Sequence, residues 1–482
     1  MTSLKKQTIS GIKWQVASSF LQKAISVGAT VVLARILSPS VFGLFALAFV
    51  AIDALSMFKS MGFDSALIQN KENTEKAANT AFFIIPALGS ILYLILAFCA
   101  PLIGRFLNNQ DVVGVVKALG VIFVISCFGR VPAALLEKSM QFKKISLIEI
   151  YTSIAYSLAA IILALLGMGI WSLVYAYILK TLTQNILFWA FSRWHPRLEF
   201  DKKAALEMFH FGKFIFLGAM VWFLKMNLDN LLVGKLLGVA ALGLYAIAFN
   251  IANFGADYFS NKVHRVIFPA FSKIQADKDD LKSSFLKVTK HVGIFAFPFC
   301  AGLCLLSKDL ITVVYGQKWI AAAPILSVLA FVGLFNTLPV AIHPLLNALG
   351  YSKSGFWFCA LQVALFFLFI SPAAKLYGLN GVGVVVVLSQ LIAVIAYLPF
   401  TMKLISLRPK DIYLALKPGL ISSLCMAAGI LFLKNILLPF QGHLSPYYNF
   451  IILSVFALAV YSLSLLSIEK KALRDIKEAI FV

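Results

Sequence analysis

The residues that could do chemistry are charges set inside runs otherwise apolar enough to cross a bilayer. They are Lys13, Lys23 and Arg35 in the first run, Asp53 and Lys59 in the second, Lys213, Lys225 and Asp229 in the seventh, and Asp257, Lys262 and Arg265 in the eighth. An ionised side chain inside a spanning helix costs roughly 2.5 to 3.5 kcal/mol on insertion scales, so each needs a cavity, a partner or an exit to the headgroups. Cations predominate, and their chemistry is attraction of an anion. Lys23 lies about ten residues into its run, too deep to snorkel easily, and a cation at that depth suits a phosphate or pyrophosphate headgroup. The carboxylates of Asp53, Asp229 and Asp257 titrate readily when desolvated and could couple a proton or a sodium ion.

A second pattern is a stripe. Asn250, Asn253, Asp257, Asn261 and His264 recur at three- or four-residue spacing, which places them on one side of a helix. That side either lines a water-filled cavity or forms a polar seam satisfied by neighbouring helices. Lys225 and Asp229 are one turn apart, so an intrahelical ion pair competes with a functional role. Lys13, Lys59, Lys262 and Arg265 lie near run ends, where snorkelling is the competing explanation.

Other chemistry is absent from the pattern. The six histidines have no metal-ligand spacing, no GxxxxGK[ST] loop occurs, and no polar segment is large enough for a catalytic domain. No catalytic residue, metal or cofactor is therefore expected, apart from a coupled proton or sodium ion. Cys99, Cys127, Cys300, Cys304, Cys359 and Cys425 fall in apolar text and read as packing residues.

The elements that must position these charges follow from composition. Of 482 residues, 61% are hydrophobic and 13% charged, with a mean hydropathy of +0.91. A soluble domain is about 25% charged, so a soluble enzyme is excluded. At roughly 20 residues per crossing, about fourteen helices would use roughly 280 residues and leave only short loops. Apolar runs near 12–36, 41–60, 79–103, 112–136, 146–166 and 169–191 form a first half, followed by a polar break, SRWHPRLEFDKK. Runs near 208–234, 240–268, 284–307, 319–347, 354–374 and 379–402 follow, and then a pair near 412–433 and 447–467. The expected fold is thus an all-α polytopic membrane protein: an N-lobe (1–191), a cytoplasmic linker (192–207), a C-lobe (208–402), a helix pair (403–467) and a basic tail (468–482).

Lys and Arg number 42 against 20 Asp and Glu, a net charge of +22. On so apolar a chain this suggests anionic lipids or an anionic cargo and no nucleic acid. The cations cluster in alternate loops, such as Lys5 and Lys6, Lys143 and Lys144, Lys202 and Lys203, and Arg408 and Lys410, which places both termini in the cytoplasm by the positive-inside rule. No signal-peptide cleavage site precedes the first run, so that helix is expected to be retained. In the tail, Leu473, Ile476 and Ile480 share a side amid lysines, which reads either as a surface helix on an anionic leaflet or as a solvated tail.

The chain also repeats itself. ARILSPSVFGLFALAF (34–49) aligns without a gap on GKLLGVAALGLYAIAF (234–249), and Lys13 falls on Lys213 at the same offset. ALLEKSMQFKK (134–144) aligns on PLLNALGYSKS (344–354), and LLGMGIWSLV on LYGLNGVGVV. Six crossings per unit make these parallel repeats about an axis along the membrane normal, and substrate sites in such folds lie between the repeats.

The opening SGIKWQVASSFLQKAISVGATVVLARILSPSVFGLFALAFV, with MGFDSALIQ (61–69), GMGIWSLV (167–174) and NLDNLLVGKLLGVAALGLYAIAF (227–249), resembles the polysaccharide-biosynthesis branch of the multidrug/oligosaccharidyl-lipid/polysaccharide exporters, the Wzx-type flippases. The resemblance implies two parallel six-helix lobes around a cavity, an extra C-terminal helix pair and alternating access. It further implies a polyprenyl-pyrophosphate-linked oligosaccharide as cargo, for O-antigen, lipopolysaccharide, capsule or exopolysaccharide, moved to the outer leaflet of a bacterial or archaeal cytoplasmic membrane. Polymerase or assembly proteins would be partners. By helix and depth, it points to Lys13, Lys23, Arg35, Lys213 and Lys225 for the pyrophosphate. Two alternatives stay open: a cation-coupled multidrug exporter of the same superfamily, and a membrane polysaccharide polymerase, which would need a large external loop.

Overall fold

Inside a bilayer a chain can satisfy its backbone N–H and C=O groups only within a helix or a closed barrel, and the apolar runs here form helices. The computed structural model describes residues 2–56, 58, 67, 74–197, 199, 201–351, 353–437 and 445–469, without the side chains of 2–13, 16, 202–219 and 255–266. Among the described residues there are fourteen α-helices and no strand. The first seven are α1 (Thr2–Ile36), α2 (Pro39–Ser56), α3 (Thr74–Phe106), α4 (Asp111–Phe128), α5 (Arg130–Lys138), α6 (Phe142–Leu165) and α7 (Ile170–Ser192). Then follow α8 (Lys202–Lys273), α9 (Lys278–Leu310), α10 (Ala323–Phe335), α11 (Thr337–Ala348), α12 (Lys353–Leu404), α13 (Pro409–Leu437) and α14 (Pro446–Ile468).

Eleven stretches among the described residues are long and apolar enough to cross a membrane. Two of them run through a glycine kink and hold two expected crossings each, at Gly238 in α8 (φ 85°, ψ 172°) and Gly378 in α12 (φ 59°, ψ −142°). With the 23-residue α7, they account for the crossings expected from the sequence. Their outer surfaces are apolar: Phe98 is 80% and Tyr377 73% exposed, as side chains facing lipid would be.

Two expected single helices are broken. The 112–136 run divides at Gly129 into α4 and α5, and the 319–347 run divides at Asn336 into α10 and α11 after a 3-10 turn, Gln317–Ala322. Each break has a polar reason that hydropathy cannot show. A Cβ at Gly129 would sit 2.3 Å from Asn185 Oδ1 of α7, while Trp189 Nε1, also on α7, donates to the freed Phe128 carbonyl at 3.1 Å. In the second half, Asn336 Oδ1 accepts from Gln390 Nε2 of α12 at 2.7 Å. The turns that follow match as well: Met140 and Gly350, aligned by the repeat, both take positive φ (54° and 84°).

The chain forms two compact units, 1–243 and 244–482. In the first, α3 packs on α4, α6 on α7, α1 on α6, and α2 on α4 and α7. The first part of α8 belongs here as well, because α2 crosses it backbone to backbone. A Cβ at Gly43 would lie 1.6 Å from the Val239 carbonyl oxygen, and one at Gly243 would lie 1.9 Å from that of Pro39. Each glycine rests on the carbonyl four residues before the other, and the two are repeat equivalents. The contact division therefore falls later than the linker, 192–207, at which the repeat divides.

That linker is fastened to α3. Asn79 Oδ1 accepts from Arg197 N at 3.0 Å and Thr80 Oγ1 from Asp201 N at 3.0 Å, while Arg197 pairs with Glu75 at 3.2 Å. Asn79 and Thr80 are fully buried, and the Trp194 ring packs against Phe82 and Trp189. Linker backbone groups that water would otherwise hydrate thus find partners on the helix.

In the second unit α9 packs on α10 and α13, and α13 on α14, so the C-terminal pair is part of this body. Asp277 caps α9 by accepting from the amides of Asp279 and Asp280. Ion pairs tie its helices: Lys434 to Asp309 at 2.7 Å, Lys282 to Asp411 at 2.6 Å, and Lys290 to Glu469.

Candidate functional site

Within the first unit, four helices bring charged and aromatic side chains into one cluster. On α1, Gln22 Nε2 donates to Glu149 Oε2 of α6 at 3.0 Å. Tyr156 lies two turns further along α6, on the same side as Glu149. From α7, the Lys180 ammonium sits 5.8 Å from the centre of the Tyr156 ring and 5.5 Å from that of Tyr177. Tyr177 in turn meets Phe49 of α2 edge to face at 4.8 Å, and Asp53, one turn beyond Phe49, lies within electrostatic reach of it. Glu149 is within electrostatic reach of Lys180. Two carboxylates and one ammonium thus share a small region among α1, α2, α6 and α7.

Burial of charge in this cluster is costly, and its aromatic neighbours offset part of that cost. An ammonium held near the middle of a span costs roughly 2.5 to 3.5 kcal/mol. A desolvated cation over an aromatic face recovers about 2 kcal/mol, so two tyrosines offset much of that cost. The arrangement offers the Lys180 ammonium to an anion and the Glu149 and Asp53 carboxyl groups to a cation.

Of the residues singled out in the sequence, Asp53 joins this cluster. Lys23 and Arg35 are exposed on α1, at the middle and the last turn. Lys225 lies over the Trp222 ring at 5.4 Å, and one turn later Asp229 is 1% exposed, its Oδ1 accepting from the Asn230 amide at 2.8 Å. Asn253 is buried with its amide on the Phe249 carbonyl, while Asn250 is exposed. The side chains of Lys13, Lys59, Lys213, Asp257, Asn261, Lys262, His264 and Arg265, and the whole tail 470–482, lie outside the described residues. The stripe can therefore be followed only over its first two members.

Gln22, Glu149, Tyr156, Tyr177 and Lys180 were not singled out. Lys180 carried a usable signal, because it lies as deep in its apolar run as Lys23 does in its own. Many cations at loop ends instead have structural partners. Lys138 Nζ donates to Thr74 Oγ1 at 2.7 Å and to the Leu67 carbonyl at 3.1 Å, and burial pulls its pKa below the ordinary lysine value. Lys144 donates to the Phe191 carbonyl at 3.2 Å, and Lys143 lies over Trp14. All six cysteines are free, and no group of His, Cys, Asp and Glu fit to hold a metal occurs among the described residues.

An all-α multi-pass chain with an internal repeat and charges gathered between its helices has the architecture of a membrane transporter and not of an enzyme. The fold is similar to that of a solved lipid II flippase, MurJ, in an inward closed conformation, with a TM-score of 0.76 over 96% of this chain and 100% of that one at 16% identity. Residues 32–324 match the family described as polysaccharide biosynthesis protein, and the chain belongs to that family. It is similar to the lipopolysaccharide biosynthesis protein WzxC of Escherichia coli, 29% identical over 81% of this chain and 80% of that one. It is also similar to the teichuronic acid biosynthesis protein TuaB of Bacillus subtilis, 30% identical over 74% of each chain.

Proposed function

We propose that the protein is a flippase that moves a polyprenyl-pyrophosphate-linked oligosaccharide, a repeat unit of O-antigen, capsule or exopolysaccharide, from the inner to the outer leaflet of a cytoplasmic membrane by alternating access. Similarity over four-fifths of the chain to a lipopolysaccharide biosynthesis protein carries the reading. The excess of cations over carboxylates among the intramembrane charges supports an anionic headgroup as the part of the cargo held within the membrane. Both termini lie in the cytoplasm, and polymerase or assembly proteins are the partners that would receive the unit outside.

In this reading Lys23, with Lys213 or Lys225, holds the pyrophosphate, the sugars occupy a polar cavity lined by the Asn250–His264 stripe, and the prenyl chain stays in lipid or beside α13 and α14. Transport is driven by an ion gradient through Asp53, Asp229 or Asp257. Of these, Asp53 has the surroundings a coupling group needs, since it lies beside Tyr177 in the cluster that includes Glu149 and Lys180. Collapsing both the proton and the sodium gradient in cells is expected to stop export; export that continues at its normal rate would refute the coupling while leaving the cargo assignment untouched. Cells lacking the protein should retain the complete lipid-linked unit on the cytoplasmic side. Drug hypersensitivity with an unchanged lipid pool would instead indicate a multidrug exporter.

A further inference from the structure

Several lysines of the described helices spend their N–H groups on protein oxygens. Lys434 bonds Asp309 and the Leu305 carbonyl, Lys138 bonds Thr74 and the Leu67 carbonyl, and Lys144 bonds the Phe191 carbonyl. Lys180 differs. It stands at the middle of α7, half-buried, and its ammonium has two tyrosine faces beside it and, among the described residues, neither a hydrogen bond nor an ion pair. An ammonium carries three N–H donors, and an aromatic face attracts the charge without supplying the oxygen lone pairs those donors require. At this depth in a membrane, donors left open are costly unless a ligand or water meets them.

We propose that Lys180 is an anchor for the diphosphate of the lipid-linked cargo, with Tyr156 and Tyr177 holding its ammonium in position; this rests on the flippase reading above. The three N–H donors, and not the neighbouring acids, define which anion is accepted. Glu149, facing Lys180 from α6, already receives the Gln22 amide from α1, and Asp53 stands beyond Tyr177 on α2. These carboxylates repel any incoming anion, so what distinguishes one anion from another is the oxygens it offers to the Lys180 ammonium. A sugar carboxylate offers two acceptor oxygens, whereas a diphosphate diester offers several, enough to meet all three N–H donors. The site therefore selects the diphosphate over the sugar.

The test uses the full chain in lipid nanodiscs with farnesyl diphosphate as probe, and farnesol and glucuronate as comparisons. Lys180→Gln is expected to weaken farnesyl diphosphate binding by about tenfold or more, Lys180→Arg to keep it within about threefold of the wild type, and farnesol binding to be unaffected. Lys180→Met, apolar and of similar length, replaces Lys180→Gln if that variant does not fold. Binding of farnesyl diphosphate to the neutral variants as tightly as to the wild type overturns the assignment and leaves the flippase reading standing. No binding to the wild type overturns both. Glucuronate bound tightly by the wild type and lost from Lys180→Gln overturns the choice of diphosphate in favour of a sugar carboxylate.

Discussion

One added methyl group at Gly43 or Gly243 is expected to lower transport by at least about tenfold and to lower the thermal unfolding midpoint clearly, whereas the same change at Gly28 is expected to do neither. The first two glycines sit where α2 and α8 touch backbone to backbone, with a Cβ placed 1.6 Å from one carbonyl oxygen and 1.9 Å from the other. The obstacle is main chain, which cannot rotate aside as a side chain would, so the helices must part. Overpacking typically costs about 1 to 3 kcal/mol, and a rigid obstacle belongs at the upper end of that range. Gly28 is also helical, but nothing lies within 4 Å of its Cβ position. Alanine there should gain up to about 1 kcal/mol of helix propensity. Thermal unfolding of the three alanine variants in detergent, together with an export assay, makes the comparison. A Gly43→Ala protein as stable and active as Gly28→Ala would show that the crossing is looser than described.

Lys23→Gln is expected to abolish export while Lys23→Arg retains it. Lys23 lies on α1 within the stretch Ala17–Ile36 that is apolar enough to cross the membrane, and its side chain is exposed. Near a protein surface, a unit charge pair at 4 Å is worth about 4 kcal/mol, so removing one cation from a diphosphate site reduces affinity by orders of magnitude. Arginine preserves the charge and adds bidentate geometry. The measurement is glycan export by cells expressing each variant at equal level. Full export by Lys23→Gln would remove Lys23 from the site. Lys180, on a different helix, would be unaffected by that result.

Much of this fold is legible in the sequence because membrane crossing imposes a length and a hydropathy on every span. The offset-200 repeat is legible for a more specific reason. It aligns Gly43 with Gly243, and that pair is where α2 meets α8. Its other aligned positions also behave alike: Phe45 with Phe49 and Tyr245 with Phe249 form ring pairs at 5.1 and 5.6 Å in the two repeats. The breaks at Gly129 and Asn336 are hard to see, since only Arg130 and the pair Asn336–Thr337 interrupt the apolar text there and each break is met by a polar group on a distant helix, Asn185 or Gln390.

The cluster around Lys180 is hidden in the same way. Glu149 stands near a run end, where a carboxylate draws no notice, and Gln22 is one polar residue among several on α1. What joins them is the packing of α1 on α6 and of α6 on α7, which no spacing along the chain encodes. Tyr156 and Tyr177 are ordinary aromatic residues of membrane helices until the fold places a lysine over both.

The flippase assignment is tested most directly by mass spectrometry of polyprenyl-linked lipids from a strain lacking this protein and any redundant exporter, with a membrane-impermeant sugar-modifying reagent reporting which leaflet holds them. Accumulation of one complete pyrophosphate-linked oligosaccharide, protected from the reagent on the cytoplasmic side, is the predicted result. A lipid pool unchanged in amount and in leaflet would contradict it.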